Sequence, residues 1–170
     1  AHPGKKLLFM GGEFAQWEEW SEREQLDWPL LEHANHLGVQ ALVRDLNRLY
    51  REQPALHRHD FEHQGFEWID CHDEARSVLA LIRHGGGQSL ICLLNFTPVP
   101  REDYRVGLPL DGRYREILNT DAEIYGGSNL GNAGHITATR RPWGDRPCSA
   151  TVRLPPLGAV FLQREAPASG

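Results

Sequence analysis

The sequence predicts a mainly β fold: an antiparallel β-sandwich preceded by one strand–loop–helix unit. Residues 66–163 contain roughly seven short apolar runs separated by turn residues, which is typical of a sandwich. Residues 35–51 instead place apolar side chains at helical spacing. A short apolar run over residues 5–10, ended by Gly11, is too brief for a helix and predicts a buried strand.

Turn signals separate the strands of the predicted sandwich. Gly85-Gly86-Gly87 is a strong hairpin signal, and Asp111-Gly112 is a preferred two-residue turn. The predicted strands cover residues 66–71, 77–84, 88–96, 104–110, 113–119, 149–154 and 159–163.

The predicted helix has one apolar stripe, with Asp45 and Arg48 largely away from it. Pro54 ends the helix and marks a change of character along the chain. The stripe consists of Val39, Leu42, Val43, Leu46, Leu49 and Tyr50. We therefore expect a first region over residues 1–53, a sandwich domain over 54–165 and a disordered tail over 166–170.

The first region poses a structural problem. A buried parallel strand needs strands on both edges and helices on both faces, but the chain supplies one such strand and one good helix. The pattern is that of the last βα unit of a (β/α)8 barrel followed by a C-terminal sandwich. The 170 residues are thus expected to end a longer chain, and residues 5–10 to promote self-association through a free strand edge.

Composition excludes several classes of function. The formal charge is −5, from 18 basic and 23 acidic residues, which argues against a nucleic-acid partner. No apolar run is long enough to span a membrane. The three cysteines, Cys71, Cys92 and Cys148, fit neither a disulfide framework nor a CxxC zinc site, so a reducing compartment is expected.

The loop after the first apolar run mixes carboxylates with three of the five tryptophans. Flat indole rings stack on the apolar faces of pyranoses, and carboxylates accept hydrogen bonds from hydroxyls, so the loop suits sugar recognition. Retaining glycoside chemistry needs two carboxyl groups about 5 Å apart, which the sequence alone does not place. The competing interpretation is a solvated acidic loop with the tryptophans packed beneath it.

Two other motifs are weaker. The histidine-dense stretch over residues 57–72 could hold a metal, but it has no HExxH motif and no cysteine partner, so a solvated connection is the better interpretation. The glycine-rich run over residues 126–134 lacks the GK[ST] ending of a phosphate-binding loop. It predicts a loop with positive φ angles.

Several longer strings resemble glycogen (1,4-α-glucan) branching enzymes of the α-amylase superfamily, from the end of the barrel through the C-terminal all-β domain. The resemblance runs from about Lys5 to Phe161. The strings are LFMGGEFAQ (8–16), LDW (26–28), DLNRLY (45–50), GFEWI (65–69), CLLNFTPVPR (92–101), YREILNTD (114–121) and YGGSN (125–129). Many members have Asn where this chain has Gly12, and Gly where it has Ala15.

The resemblance implies a parent enzyme that cleaves α-1,4 bonds and transfers the freed segment to a 6-hydroxyl through a covalent glycosyl-enzyme. The family's catalytic carboxylates belong to motifs with no counterpart here, so no catalytic residue is assigned and the chain alone is expected to be inactive. The resemblance also implies an α-glucan partner, no cofactor, no metal and a cytoplasmic location.

The motif around Glu13 borders the active-site cleft in that family. Glu13, Trp17, Trp20 and Trp28 are therefore the candidate substrate-binding residues that shape or support the glucan channel. Glu13 is a candidate for holding a neighbouring loop or catalytic residue in place. The alternative function is a non-catalytic glucan-binding β-sandwich module.

Overall fold

The computed structural model describes residues 1–166, so most of the predicted tail, residues 167–170, lies outside the described part of the chain. It contains helix α1 (Ala34–Glu52) and a series of antiparallel strands. The strands are β1 (Phe66–Asp73), β2 (Val78–Gly85), β3 (Gln88–Asn95), β4 (Arg101–Leu108), β5 (Gly112–Asn119), β6 (His135–Ala138), β7 (Cys148–Leu154) and β8 (Gly158–Arg164).

The strands form two sheets, which confirms the predicted mainly β, antiparallel fold. The larger sheet has the order β1-β2-β3-β8-β5-β6, and the smaller one pairs β4 with β7. An isolated bridge between Thr139 and Ser149 brings the β6 end of the larger sheet next to β7. Strand β6, which has only four residues, is too short for its alternation to stand out in the sequence.

The principal core lies between the two sheets. Alternate residues of each strand point into it because side chains in a strand alternate between faces. Val78, Ala80 and Ile82 of β2 belong to this core, together with Val152 and Leu154 of β7. All five are almost completely buried.

The opposite face of the larger sheet packs against helix α1 and the short turn that follows it. Leu81 and Phe161 project from this face and share a second apolar cluster with Leu49 of the helix. The short 3₁₀ turn Pro54–Leu56 contributes Ala55 and Leu56 to the same cluster. The predicted helix is confirmed, one residue longer at each end than its apolar pattern indicates.

One residue of the helix behaves differently from its predicted position. Asp45 lies off the apolar stripe, yet its side chain is buried. Its partner is Tyr125, whose hydroxyl donates a 2.8 Å hydrogen bond to Asp45 Oδ2. Gly38 permits this approach, since a Cβ atom there would lie 2.4 Å from the Tyr125 carbonyl oxygen. Helix α1 therefore contacts the loop after β5 as well as the larger sheet.

The two turn predictions have opposite outcomes. Gly85 pairs with Gln88 across a two-residue turn in which Gly86 and Gly87 have φ angles of 61° and 74°, so the β2–β3 hairpin is confirmed. The Asp111-Gly112 hairpin is wrong, because β4 and β5 belong to different sheets. The chain crosses there from the smaller to the larger sheet, so that both strands cover the same core from opposite sides.

The predicted strand over residues 5–10 is also wrong. These residues are irregular, and Leu7 is 92% exposed. Within residues 1–166 no strand pairs with this segment, so its backbone groups have no ladder to join. The segment is tethered instead through Lys6, whose Nζ lies 3.2 Å from Asp60 Oδ2.

The glycine-rich run after β5 is a loop, as its composition predicts. Gly126 and Gly134 have positive φ angles, and so do Asn129 and Ala133. Asp121 organises the loop by accepting hydrogen bonds from the backbone and hydroxyl of Ser128 and from the backbone of Leu130. These bonds place Tyr125 where it meets the helix.

Candidate functional site

The candidate site is built on a short 3₁₀ turn, Gly12–Phe14, that packs on the first turns of helix α1. Gly11 and Ala15 flank it with φ angles of 83° and 57°, so the chain reverses tightly at both ends. Phe14 points inward and is fully buried. Its carbonyl oxygen lies 2.8 Å from Nδ1 of the buried His36, which fixes the turn to the helix.

Glu13 lies on this turn between the exposed Gly12 and the buried Phe14. Its side chain is half-buried. Among residues 1–166 its carboxylate has no hydrogen-bond or ion-pair partner. The turn fixes the backbone of Glu13, and the acceptor oxygens of its carboxylate stay free for another group.

Each tryptophan rests on a different support. Trp28 packs on Phe14 with ring centroids 5.3 Å apart, Trp17 on His36 at 5.2 Å, and Trp20 on Phe9 at 6.1 Å. No ring contact joins two of these tryptophans within the part of the chain described.

The exposure of these rings bears on both interpretations of the loop. Trp17, Trp20 and Trp28 are 75%, 38% and 48% exposed. Each indole therefore rests on a supporting side chain on one side and is exposed on the other.

Sequence reasoning missed two side chains that hold the loop together. Gln16 accepts a 3.0 Å hydrogen bond from the backbone of Asp27 and donates one of 2.9 Å to the carbonyl of Glu18. His36 is the second, and it supports both Phe14 and Trp17. Spacing along the chain gives no signal for either contact, because both join segments whose approach depends on the fold.

The histidine-dense stretch has local roles. His59 pairs with Glu62, and Asp60 pairs with the buried Arg83 at 2.6 Å. Burial alone would raise the pKa of Asp60, but hydrogen bonds from Arg83 and Lys6 outweigh it and hold the pKa below its ordinary value. No cluster of metal-ligating side chains occurs within residues 1–166. No helix there is long and apolar enough to cross a membrane.

Known proteins match both the sandwich and the loop that carries the tryptophans. The sequence profile of the alpha-amylase C-terminal all-beta domain matches residues 68–165, which span all eight strands apart from the first two residues of β1. The chain belongs to this family. The curated relatives of this chain are larger proteins, and each match covers nearly the whole of this chain.

Three relatives illustrate the match, each named 1,4-alpha-glucan branching enzyme GlgB. The protein of Hydrogenovibrio crunogenus is 59% identical over 164 residues, covering 96% of this chain and 23% of the relative. That of Thiobacillus denitrificans is 58% identical over 165 residues, covering 96% and 22%. That of Aquifex aeolicus is 52% identical over 167 residues, covering 97% and 26%.

These matches confirm the resemblance to branching enzymes. The chain spans about a quarter of the length of the curated relatives it matches. The matched residues include the helix and the loop that carries the tryptophans as well as the sandwich, since more than 95% of the chain is covered.

Proposed function

We propose that the chain acts as the C-terminal part of a 1,4-α-glucan branching enzyme. In this proposal the whole enzyme cleaves an α-1,4 bond of a glucan and transfers the segment to a 6-hydroxyl, making an α-1,6 branch. The observation that supports it most is the 59% identity with a branching enzyme over 164 residues, which include the candidate site. Residues 1–53 complete the catalytic unit, and residues 54–165 form the β domain beside it.

Glu13, Trp17, Trp20 and Trp28 line or support the glucan channel in this proposal. The exposed indole faces offer flat apolar surfaces to glucose rings. The unpartnered carboxylate of Glu13 accepts hydrogen bonds, either from glucan hydroxyls or from a neighbouring loop. None of the four forms or breaks a bond with the substrate, so the proposal assigns them binding and positioning roles only.

A chimera tests the proposal. In the Hydrogenovibrio crunogenus enzyme, the quarter that matches this chain is replaced by residues 1–170, and branching of amylose is followed by the iodine-complex spectrum. New α-1,6 ends are counted after debranching. We expect the chimera to branch amylose, because more than half of the exchanged residues are identical. A soluble, folded chimera without branching activity would contradict the proposal.

Substitutions in the active chimera test the site. Trp20→Ala and Glu13→Gln are expected to weaken glucan use by about tenfold, since one stacked ring or one charge-assisted hydrogen bond contributes that much. Phe61→Ala, which removes another exposed aromatic side chain far along the sequence, is the matched control and should leave activity unchanged. Unchanged activity in both site variants would remove these residues from the channel.

A second candidate function is a glucan-binding module without catalytic activity. The outward exposure of the three tryptophans favours it. Maltoheptaose should then quench the Trp fluorescence of the isolated 170-residue chain saturably, and the part of the quenching that comes from this loop should be lost in Trp20→Ala. We expect the isolated chain to show no branching activity in either case, and protein-dependent α-1,6 ends from it would contradict that expectation.

Two further parts of the proposal concern the environment of the chain. The enzyme acts in the cytoplasm. Its free cysteine thiols are largely shielded from solvent, since Cys92 and Cys148 are buried and Cys71 is half-buried. The isolated chain self-associates through residues 5–10, whose apolar side chains at 7–10 are exposed, although this segment is not a strand. Light scattering after size exclusion checks this, and Leu7→Glu should shift any dimer to monomer, whereas a monomer at all concentrations would refute it.

A further inference from the structure

The sandwich has an open seam between the edges of its two sheets. Strand β1 is one of the two outer strands of the larger sheet, and β4 is one of the two strands of the smaller sheet. Both edges carry register irregularities: Trp68/Asp70 and Asp70/Asp73 in β1, and Arg101/Tyr104 in β4. Such irregularities turn an edge away from further strand pairing, so the seam stays open.

A groove of about 710 Å³ occupies this seam. A neighbouring cavity of about 330 Å³ shares five lining residues with it, so the two form one continuous depression. The shared residues are Asp70, His72, Tyr104, Arg105 and Trp143. Its size is within the usual range for small-ligand sites. None of the candidate site residues around Glu13 belongs to it.

Trp143 is presented to the groove on a rigid support. It opens a two-residue turn closed by a pair of backbone hydrogen bonds with Arg146. Gly107 of β4 lets this turn lie against the strand, since a Cβ atom there would be 2.5 Å from the Trp143 carbonyl oxygen. Arg146 Nη2 reaches the Trp68 carbonyl at 2.8 Å and Glu67 Oε1 at 2.6 Å, which fixes the turn to β1.

The indole of Trp143 remains 48% exposed on this support. The guanidinium of Arg105 lies over its ring, with Cζ 5.2 Å from the centroid. Within residues 1–166, Arg105 has no carboxylate within 4 Å, and its Nε is buried without a hydrogen-bond partner. Arg105 is therefore held in position by stacking, with its hydrogen-bonding capacity unused.

The remaining lining identifies the class of ligand. Asp70, Asp73 and Asp103 line the same groove as Arg101 and Arg105. Tyr104 and Asp73 both line the groove. Burial, followed by the carboxylate of Asp73, raises the pKa of Tyr104. A wall with both signs of charge favours neither an anion nor a cation. It fits a neutral ligand with many donors and acceptors and a flat apolar face.

We propose that the β1–β4 groove is a second saccharide site that binds an α-glucan chain, with Trp143 as stacking platform and Arg105 as hydrogen-bond donor. The saccharide class follows from the groove itself, whereas the choice of an α-glucan rests on the proposed function. The site is separate from the loop around Glu13. A glucan chain bound there would contact residues that are far along the sequence from those of the proposed channel.

The test uses the 170-residue chain, isotopically labelled and titrated with maltoheptaose while backbone and indole resonances are followed. We expect saturable shifts at Asp70, Arg105 and the Trp143 indole. Trp143→Ala should weaken this binding by about tenfold or more, and Trp143→Phe should retain part of it. Phe61→Ala, which removes an exposed aromatic side chain outside both the groove and the proposed channel, is the matched control and should leave the groove shifts unchanged.

Several outcomes would overturn the proposal. Shifts confined to residues 13–28, or groove shifts that persist in a folded Trp143→Ala protein, would assign glucan binding elsewhere. Equal shifts with inorganic phosphate would make the groove an anion site, and equal binding of cellohexaose would remove its preference for α-glucans. Because the chimera can branch amylose whatever happens at Trp143, failure here and failure of the proposed function remain distinguishable.

Discussion

The sandwich buries most of its apolar side chains, whereas the first 33 residues bury Phe14 and Leu30 but leave most of theirs exposed. In the sandwich, residues such as Leu93 and Leu162 are completely buried between or behind the sheets. In the first region, Leu7 and Trp17 are mostly exposed. One part of this chain therefore buries its own apolar surface, while the other part leaves apolar surface exposed that suits binding to something else.

Arg83 provides the sharpest test of the buried side of this comparison. It is completely buried in β2, paired with Asp60, and donates to the carbonyls of Ala1, Leu56 and Gly65. Arg83→Met should lower the free energy of unfolding by about 3–5 kcal/mol, because it leaves Asp60 buried without its main partner. Urea unfolding measures this loss.

The double variant Arg83→Met with Asp60→Asn is the control for Arg83. Removing the buried charge together with its partner should restore part of the lost stability. If the single and double variants are equally unstable, the cost comes from packing and from the three carbonyls rather than from the unpaired carboxylate.

A matched pair of leucines tests both sides of the comparison. Leu93→Ala should cost about 2–5 kcal/mol, since it opens a cavity in a fully buried position. Leu7→Ala should change stability by less than about 0.5 kcal/mol, because its side chain is already in water. Equal effects in urea unfolding would show that residues 7–10 pack in solution, which would remove the contrast.

The contact between Asp45 and Tyr125 gives a smaller effect that depends on pH. The hydrogen bond from Tyr125 holds the pKa of Asp45 below its ordinary value, although burial opposes it. Burial, together with Asp45, raises the pKa of Tyr125 to about 12. Asp45→Asn should therefore cost about 1–3 kcal/mol at pH 7.

The sign of the pH dependence follows from the lowered pKa of Asp45. The contribution of Asp45 to stability is complete above the ordinary carboxyl pKa of about 4. It is lost as the pH falls through the lower folded-state pKa. The stability gap between the native protein and Asp45→Asn should thus narrow in acid. A gap that stays constant from pH 7 to pH 3 would show that the carboxylate charge is not involved.

The sequence predicts the parts of the fold that depend on local pattern. Helix α1 and the β2–β3 hairpin have strong periodicity and a strong turn signal, so both predictions are confirmed. The Asp111-Gly112 turn has an equally good local signal but joins two sheets, because pairing is decided by which strands share the core. The segment 5–10 has strand-like composition but no partner strand among residues 1–166.

The candidate site is predictable in composition but not in arrangement. The mixture of carboxylates and tryptophans is visible in the sequence, and so is its resemblance to branching enzymes. The separate supports of the rings and the anchoring by His36 are not, because they join the loop to a helix that starts after it. The Trp143 turn has no signal in the sequence for the same reason, since Gly107 and Arg146 matter only once β1 and β4 lie side by side.

The close approach of Gly38 to Tyr125 makes two distant parts of the chain interdependent. A larger residue at position 38 has no room unless the loop after β5 retreats, and that loop is fixed by Asp121. The obstruction is the backbone of residue 125, so a deep mutational scan should show substitutions at position 38 to be non-additive with substitutions of Asp121, which release the loop. Because the same helix carries His36, a displacement that begins in the loop after β5 would reach the turn that bears Glu13.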